Sequence, residues 1–158
     1  MAQQHLDRLT STDASFLHQE SAGVDVSVFP RVFLPSSSSA VGPTHASVFL
    51  PLWLEKDWGD WSAFGGGGCE LNRGGGSKDF CLVGSVLTRQ VLSDLQLGVE
   101  LYHQTSDTVG SRSSTSIGVG ARYDLSHKYH VLAYFAPSTQ NAAESDQYSW
   151  YAALLFTF

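Results

Sequence analysis

From Val24 to Phe158 apolar and polar residues alternate with a period of two, the pattern of strands that bury or expose one greasy face. Along 95–105, Leu95, Leu97, Val99 and Leu101 share one face, and Gln96, Gly98, Glu100, Tyr102 and Gln104 share the other. Thr115, Ile117, Val119, Ala121 and Tyr123 likewise oppose Ser116, Gly118, Gly120, Arg122 and Asp124. Leu50, Leu52 and Leu54 oppose Phe49, Pro51, Trp53 and Glu55, and the chain ends with Trp150, Ala152, Leu154, Phe156 and Phe158 opposing Tyr151, Ala153, Leu155 and Thr157. The pattern predicts strands at 24–33, 45–55, 60–71, 79–91, 95–105, 114–124, 129–136 and 147–158. Strand 79–91 carries apolar residues on both faces, so alternation does not orient it, and Gly65–Gly68 predicts a bulge or a close approach of backbones.

Two further features turn this into a fold prediction. Most of the strands approach or exceed the roughly 9–11 residues that a tilted strand needs to cross a bilayer, whereas soluble strands average about five or six. Short turns at 56–59, 92–94 and 125–128 alternate strictly with longer polar connections at 34–44, 72–78, 106–113 and 137–146. The expected fold is therefore all-β: an antiparallel up-and-down membrane β-barrel of about eight strands over 23–158. The polar row is rich in Gly and Tyr rather than Lys and Glu, as on an inward face where rings cover bare backbone. A soluble barrel that binds an apolar ligand is the alternative, with the greasy row inside.

Residues 1–22 read differently. Leu6, Leu9, Ala14, Phe16 and Leu17 have loosely helical spacing, with Ser11 or Thr12 as N-cap, and predict a short helical or disordered extension outside the barrel. Met1–Asp7 holds neither an apolar core nor a cleavage site of a secretory signal.

Composition narrows the function classes. With nine basic residues and a formal net charge of −6, the chain has no nucleic-acid surface to offer. No run of about 18 apolar residues forms a transmembrane helix. The Gly-rich stretch 65–76 lacks the Gly-Lys-Ser/Thr of a phosphate loop, since Gly76-Ser77-Lys78 leads into a strand. There is no Gly-x-Ser-x-Gly elbow, and His5, His18, His45, His103, His127 and His130 are scattered. No catalytic residue, metal ligand or cofactor is predicted. Cys69 and Cys81 flank the 72–78 loop symmetrically, but the facing of their strands leaves pairing open.

The string Leu9-Thr-Ser-Thr-Asp13-Ala14-Ser15-Phe16-Leu17-His18-Gln-Glu20 resembles the opening of the bacterial wax ester synthase/diacylglycerol acyltransferases over about sixteen residues. The adjacent histidines of that family's catalytic motif are absent, which makes a truncated or chimeric chain without acyl transfer a second reading. The stretch His45–Phe158 resembles a family of bacterial outer-membrane proteins described as transporters. The resemblance is carried by VFLPLWLEKDWGDWSAFGGGG at 48–68, the Arg89–Arg112 region and QYSWYAALLFTF at 147–158. It implies an outer-membrane barrel, passage of a small solute, and a location in the bacterial outer membrane. Leu154, Phe156 and Phe158 resemble the terminal signal read by the outer-membrane assembly machinery. The expected partners are thus the lipid bilayer and that machinery. Arg31, Glu55, Glu70, Arg89, Glu100, Arg122 and Asp124 are the residues expected to point into the lumen, either pairing to fill it or selecting a solute.

Overall fold

The computed structural model describes residues 15–34, 45–72, 76–140 and 147–157. Its strands are β1 (Ser15–Leu17), β2 (Asp25–Val28), β3 (Arg31–Phe33), β4 (Ser47–Trp58), β5 (Trp61–Asn72), β6 (Phe80–Leu92), β7 (Leu95–Gln104), β8 (Ser114–Asp124), β9 (Tyr129–Gln140) and β10 (Tyr148–Phe156). One four-residue helix, α1 (Gln19–Ala22), lies between β1 and β2. All the strands join one antiparallel sheet in the order β1-β2-β4-β5-β6-β7-β8-β9-β10, with β3 beside β2 on the same edge of β4. The chain runs up and down between neighbours, as the alternating short and long connections predict. Among the described residues the ladder does not return from β10 to the first strands, so the sheet is open there.

The predicted strand 24–33 is broken in two. Val28 pairs with Leu52 and Arg31 with Phe49, which leaves Phe29 and Pro30 opposite Leu50 and Pro51. Two prolines thus fall in the gap, and neither has an N–H to give to a ladder. Residues 15–22, assigned from their spacing to a separate extension, instead join the sheet edge. β1 pairs with β2, and the side chain of Gln19 both accepts from the Asp57 N–H and donates to the Asp57 carbonyl at 2.7 Å. Of the residues whose spacing suggested a helix, Phe16 and Leu17 lie in β1, while Leu6, Leu9 and Ala14 lie outside the described residues. The N-cap candidates Ser11 and Thr12 lie outside the described residues.

The turn at 125–128 falls as the sequence predicts, while those expected at 56–59 and 92–94 are tighter. Trp58 pairs directly with Trp61, so Gly59 (φ 55°) and Asp60 alone make the β4–β5 turn; β9 runs on to Gln140. Register also records a tilt. The rung that begins at Trp58, the last residue of β4, passes through Trp61, Arg89, Leu97, Ala121 and Ala133 to Ala152, well inside β10. Strands inclined to the sheet's long axis give such a stagger.

The alternation falls as the sequence pattern predicts, with the apolar row exposed. Leu50, Leu52, Leu54, Val83, Leu97, Val99, Leu101, Ile117 and Val119 are all exposed, Val99 at 52% and Val119 at 57%. Among the described residues the buried large hydrophobics reduce to Phe49 and Val86. That distribution inverts a soluble fold, which hides its large apolar side chains and tolerates exposed patches of only a few hundred Å². Strand β6, unoriented by its sequence, places Leu82, Gly84, Val86 and Thr88 on the inner face and Val83, Ser85, Leu87 and Arg89 on the exposed one.

On the exposed face aromatic side chains gather toward the short turns and, on β9 and β10, toward the long loops. Trp58, Trp61, Tyr123, Tyr129 and Phe156 lie toward the short turns, with Tyr129 edge-on to Phe156 at 5.3 Å. Phe135, Tyr148 and Trp150 lie toward the long loops, Phe135 stacked on Tyr148 at 6.2 Å. Between them the row is mostly aliphatic, with small residues at Gly65, Gly67 and Ser85.

Candidate functional site

The inner face carries the chemistry. It is built by aromatic rings laid on glycine backbone: where a neighbouring residue has no side chain, a ring can lie flat on the sheet. Trp53 is registered opposite Gly66 and stacks on Phe64 with ring centroids 5.2 Å apart. Tyr102 is opposite Gly84, and its ring would lie 3.6 Å from a Cβ placed there. Tyr134 covers Gly118 so closely that a Cβ would come within 2.6 Å of its Cε2 and Cζ. Gly66 (φ 153°), Gly67 and Gly68 have a second reason to be glycine. A Cβ on any of them would collide with backbone of β4 or β6, as Gly68 would with the Leu50 carbonyl oxygen at 2.5 Å. The predicted irregularity at 65–68 is a close approach of three backbones, with the register of β5 unbroken on both sides.

Two polar groups are set among these rings. Tyr134 reaches across β8 and donates to Glu100 Oε1 at 2.6 Å, while Tyr102 donates to Gln104 at 2.7 Å. Near the short turns, Asp124 Oδ1 accepts from Arg122 Nε at 2.8 Å and bonds His130 Nδ1 at 2.6 Å. His130 Nε2 lies 3.1 Å from Thr157 Oγ1. The tautomer that carries its proton on Nδ1, toward the carboxylate, leaves Nε2 as an acceptor for the Thr157 hydroxyl. The chain of groups ties β8, β9 and the residue after β10 together.

The residues expected in the lumen divide as follows. Glu55, Glu70, Glu100, Arg122 and Asp124 lie on the inner row: Glu55 pairs opposite Phe64, and Glu70 sits between Phe49 and Phe80. Arg31 is registered with Phe49 and shares its face, at an exposed position on the sheet edge. Arg89 is a correction. It belongs to the exposed row, where its guanidinium lies 5.1 Å from the centre of the Trp61 ring. β6 is apolar on both rows, so charge alone suggested an inward facing that the register with Trp61 and Leu97 overturns. Leu154 and Phe156 are exposed, and Phe158 lies outside the described residues.

His130 and Thr157 were passed over in the sequence. The usable signal was parity: His130 pairs opposite Asp124, which puts imidazole and carboxylate on one face. Cys69 and Cys81, left open by the sequence, are directly registered and joined as a disulfide, with Cα atoms 4.0 Å apart. Both lie on the exposed row toward the long loops.

No family model, curated protein or solved structure matches this chain. Function must therefore be argued from the two faces themselves. Among the described residues no group of three or more His, Cys, Asp or Glu is arranged to hold a metal ion.

Proposed function

We propose that the protein is an outer-membrane β-barrel that meets lipid with its exposed row and closes between β10 and the β1–β3 edge. The observation that carries this reading is the exposed face: a largely aliphatic row with aromatic side chains toward the short turns and, on β9 and β10, toward the long loops, on strands long enough to cross a hydrocarbon core. An apolar-ligand barrel would need the same row turned inward. The Cys69–Cys81 disulfide fits an oxidising compartment such as the periplasm or cell surface. The assembly machinery would read Leu154, Phe156 and Phe158.

Closure would give eight long strands, counting β2 and β3 as one. A barrel of that size has a bore that side chains can fill. Trp53, Phe64, Tyr102 and Tyr134, with the Glu100 and Asp124 networks, occupy the inner face. We therefore assign a structural role, or passage of no more than a small solute, in preference to an open pore. The test is extraction and refolding. The protein should require detergent and migrate differently on gels before and after boiling. A monodisperse monomer in plain buffer would overturn the reading. Planar-bilayer recording should show no large regular steps, and such steps would mean that more strands close the barrel.

A further inference from the structure

The exposed face is not uniform. A depression of about 560 Å³ lies where β4, β5, β6, β7 and β8 run side by side. On each of β4 to β7 its lining consists of two exposed-row residues flanking one inward residue, so it opens on the outer side of the sheet. Its floor is low because the exposed row of β5 and β6 is small there, with Ala63, Gly65 and Ser85, of which Gly65 and Ser85 are directly registered. Leu54, Leu87, Val99, Leu101 and Ile117 form the walls. The volume is in the range of about 300–1,000 Å³ typical of small-molecule sites, and the walls are aliphatic.

Charge makes the depression directional. Within strands β4 to β10 the described residues of the exposed row include two Lys, Arg, Asp or Glu side chains, Lys56 and Arg89, and both are cations. Both lie at the end of the strands nearest the short turns. Lys56 is part of the depression's rim, in register with Ala63, while Arg89 is two residues beyond Leu87 on the wall and braced on Trp61. An apolar cleft with cations at one end matches one kind of ligand, a molecule with an acyl tail and an anionic head. Lys and Arg at the membrane boundary extend their heads to that level, and Arg presents a fork suited to phosphate oxygens.

We propose that this depression is a specific site for an anionic phospholipid of the leaflet on the short-turn side, its acyl chain over Ala63, Gly65 and Ser85 and its phosphate between Lys56 and Arg89. The proposal rests on the barrel reading above. A neutral lipid would fill the cleft without using the two cations, so headgroup charge is the discriminating variable.

The whole chain, refolded in detergent and confirmed by its gel shift on boiling, is mixed with phosphatidylglycerol and with phosphatidylcholine of the same chains and measured by native mass spectrometry. Retention of the anionic lipid should exceed that of the neutral one several-fold. The double variant Lys56→Gln/Arg89→Gln should abolish the preference, and Ser85→Leu, which fills the floor, should reduce retention of both lipids. Equal retention of the two lipids by the unaltered protein, or an unchanged preference in the double variant, overturns the site and leaves the barrel reading standing. Loss of the detergent requirement overturns the barrel reading itself and the site with it. The gel shift of each variant separates loss of the site from loss of the fold.

Discussion

Along β7 the exposed row is Leu97, Val99 and Leu101, and the inner row, one residue out of phase, is Gln96, Gly98, Glu100 and Tyr102. The two rows are specified in different ways. On the exposed row, in the lipid surroundings proposed above, aliphatic side chains are nearly interchangeable, so what matters over most of it is the absence of charge. On the inner row each residue has a named neighbour: Glu100 with Tyr134, Tyr102 with Gly84, Trp53 with Gly66. The exposed face is therefore set by a bulk property and the inner face by shape and pairing. Substitutions should separate the two.

The largest effect is expected on the exposed face. Val99→Arg places a cation in the aliphatic middle of the row, and at a bilayer midplane this costs about 2–4 kcal/mol. Val99→Leu should be nearly silent. Denaturant unfolding of protein refolded into vesicles gives both values. A loss below about 1 kcal/mol for Val99→Arg, within the scatter of ordinary surface substitutions, would remove the contrast between the faces.

The disulfide is next. Cys69 and Cys81 are separated by 12 residues, for which chain-entropy arguments give about 3 kcal/mol. The Cys69→Ser/Cys81→Ser variant should unfold earlier by roughly that amount. Reductant should bring the parent protein to the level of the variant and leave the variant unmoved. A variant as stable as the parent would show that the direct register of β5 and β6 already holds the loop end together.

On the inner face, Gly118→Val forces a side chain into the Tyr134 ring. Overpacking of this kind costs about 1–3 kcal/mol, and the displaced ring also loses Glu100. Adding Tyr134→Ala should recover part of the loss, because the clash has one identifiable partner. Strict additivity of the two substitutions would mean that the ring does not lie on this glycine.

These contrasts also mark how far the sequence could be read. Strand positions and facing were legible wherever one row was plainly polar, as in β7 and β8, because alternation with period two has few rivals. Facing was illegible in β6, where Leu82 and Val86 on the inner row imitate the exposed row, and the misplaced Arg89 followed from that. The break at Phe29–Pro30 could have been anticipated from the proline; the pairing of β1 could not, since three residues carry too little pattern. Glycine positions told where rings would lie, as with Tyr102 and Tyr134, but not which carboxylate Tyr134 would reach. That contact spans 34 residues and reaches from β9 across β8 to β7. The Asp124–His130–Thr157 chain was hidden for a similar reason, as its members come from three separate segments.

The smallest predicted effect tests that chain directly. Thr157→Val keeps the shape of the side chain and removes the hydroxyl that His130 Nε2 faces at 3.1 Å. A neutral hydrogen bond contributes about 0.5–1.5 kcal/mol net. Thr157 is exposed, so water can take the place of its hydroxyl, and the lower part of that range is expected, about 0.5 kcal/mol. The imidazole itself is well enclosed, its side chain 12% exposed, and Asp124 holds it in position through Nδ1. His130→Ala should therefore cost more than Thr157→Val, because it also strips a partner from Asp124. The pair should be non-additive: once His130 is gone, Thr157→Val should change little. Phe156, one residue earlier, points to the exposed face, and Phe156→Leu should show no coupling to His130 at all. Coupling of His130 to Phe156 rather than to Thr157 would mean that the last strand is registered one residue out of phase, which would reverse the assignment of both faces at the end of the chain.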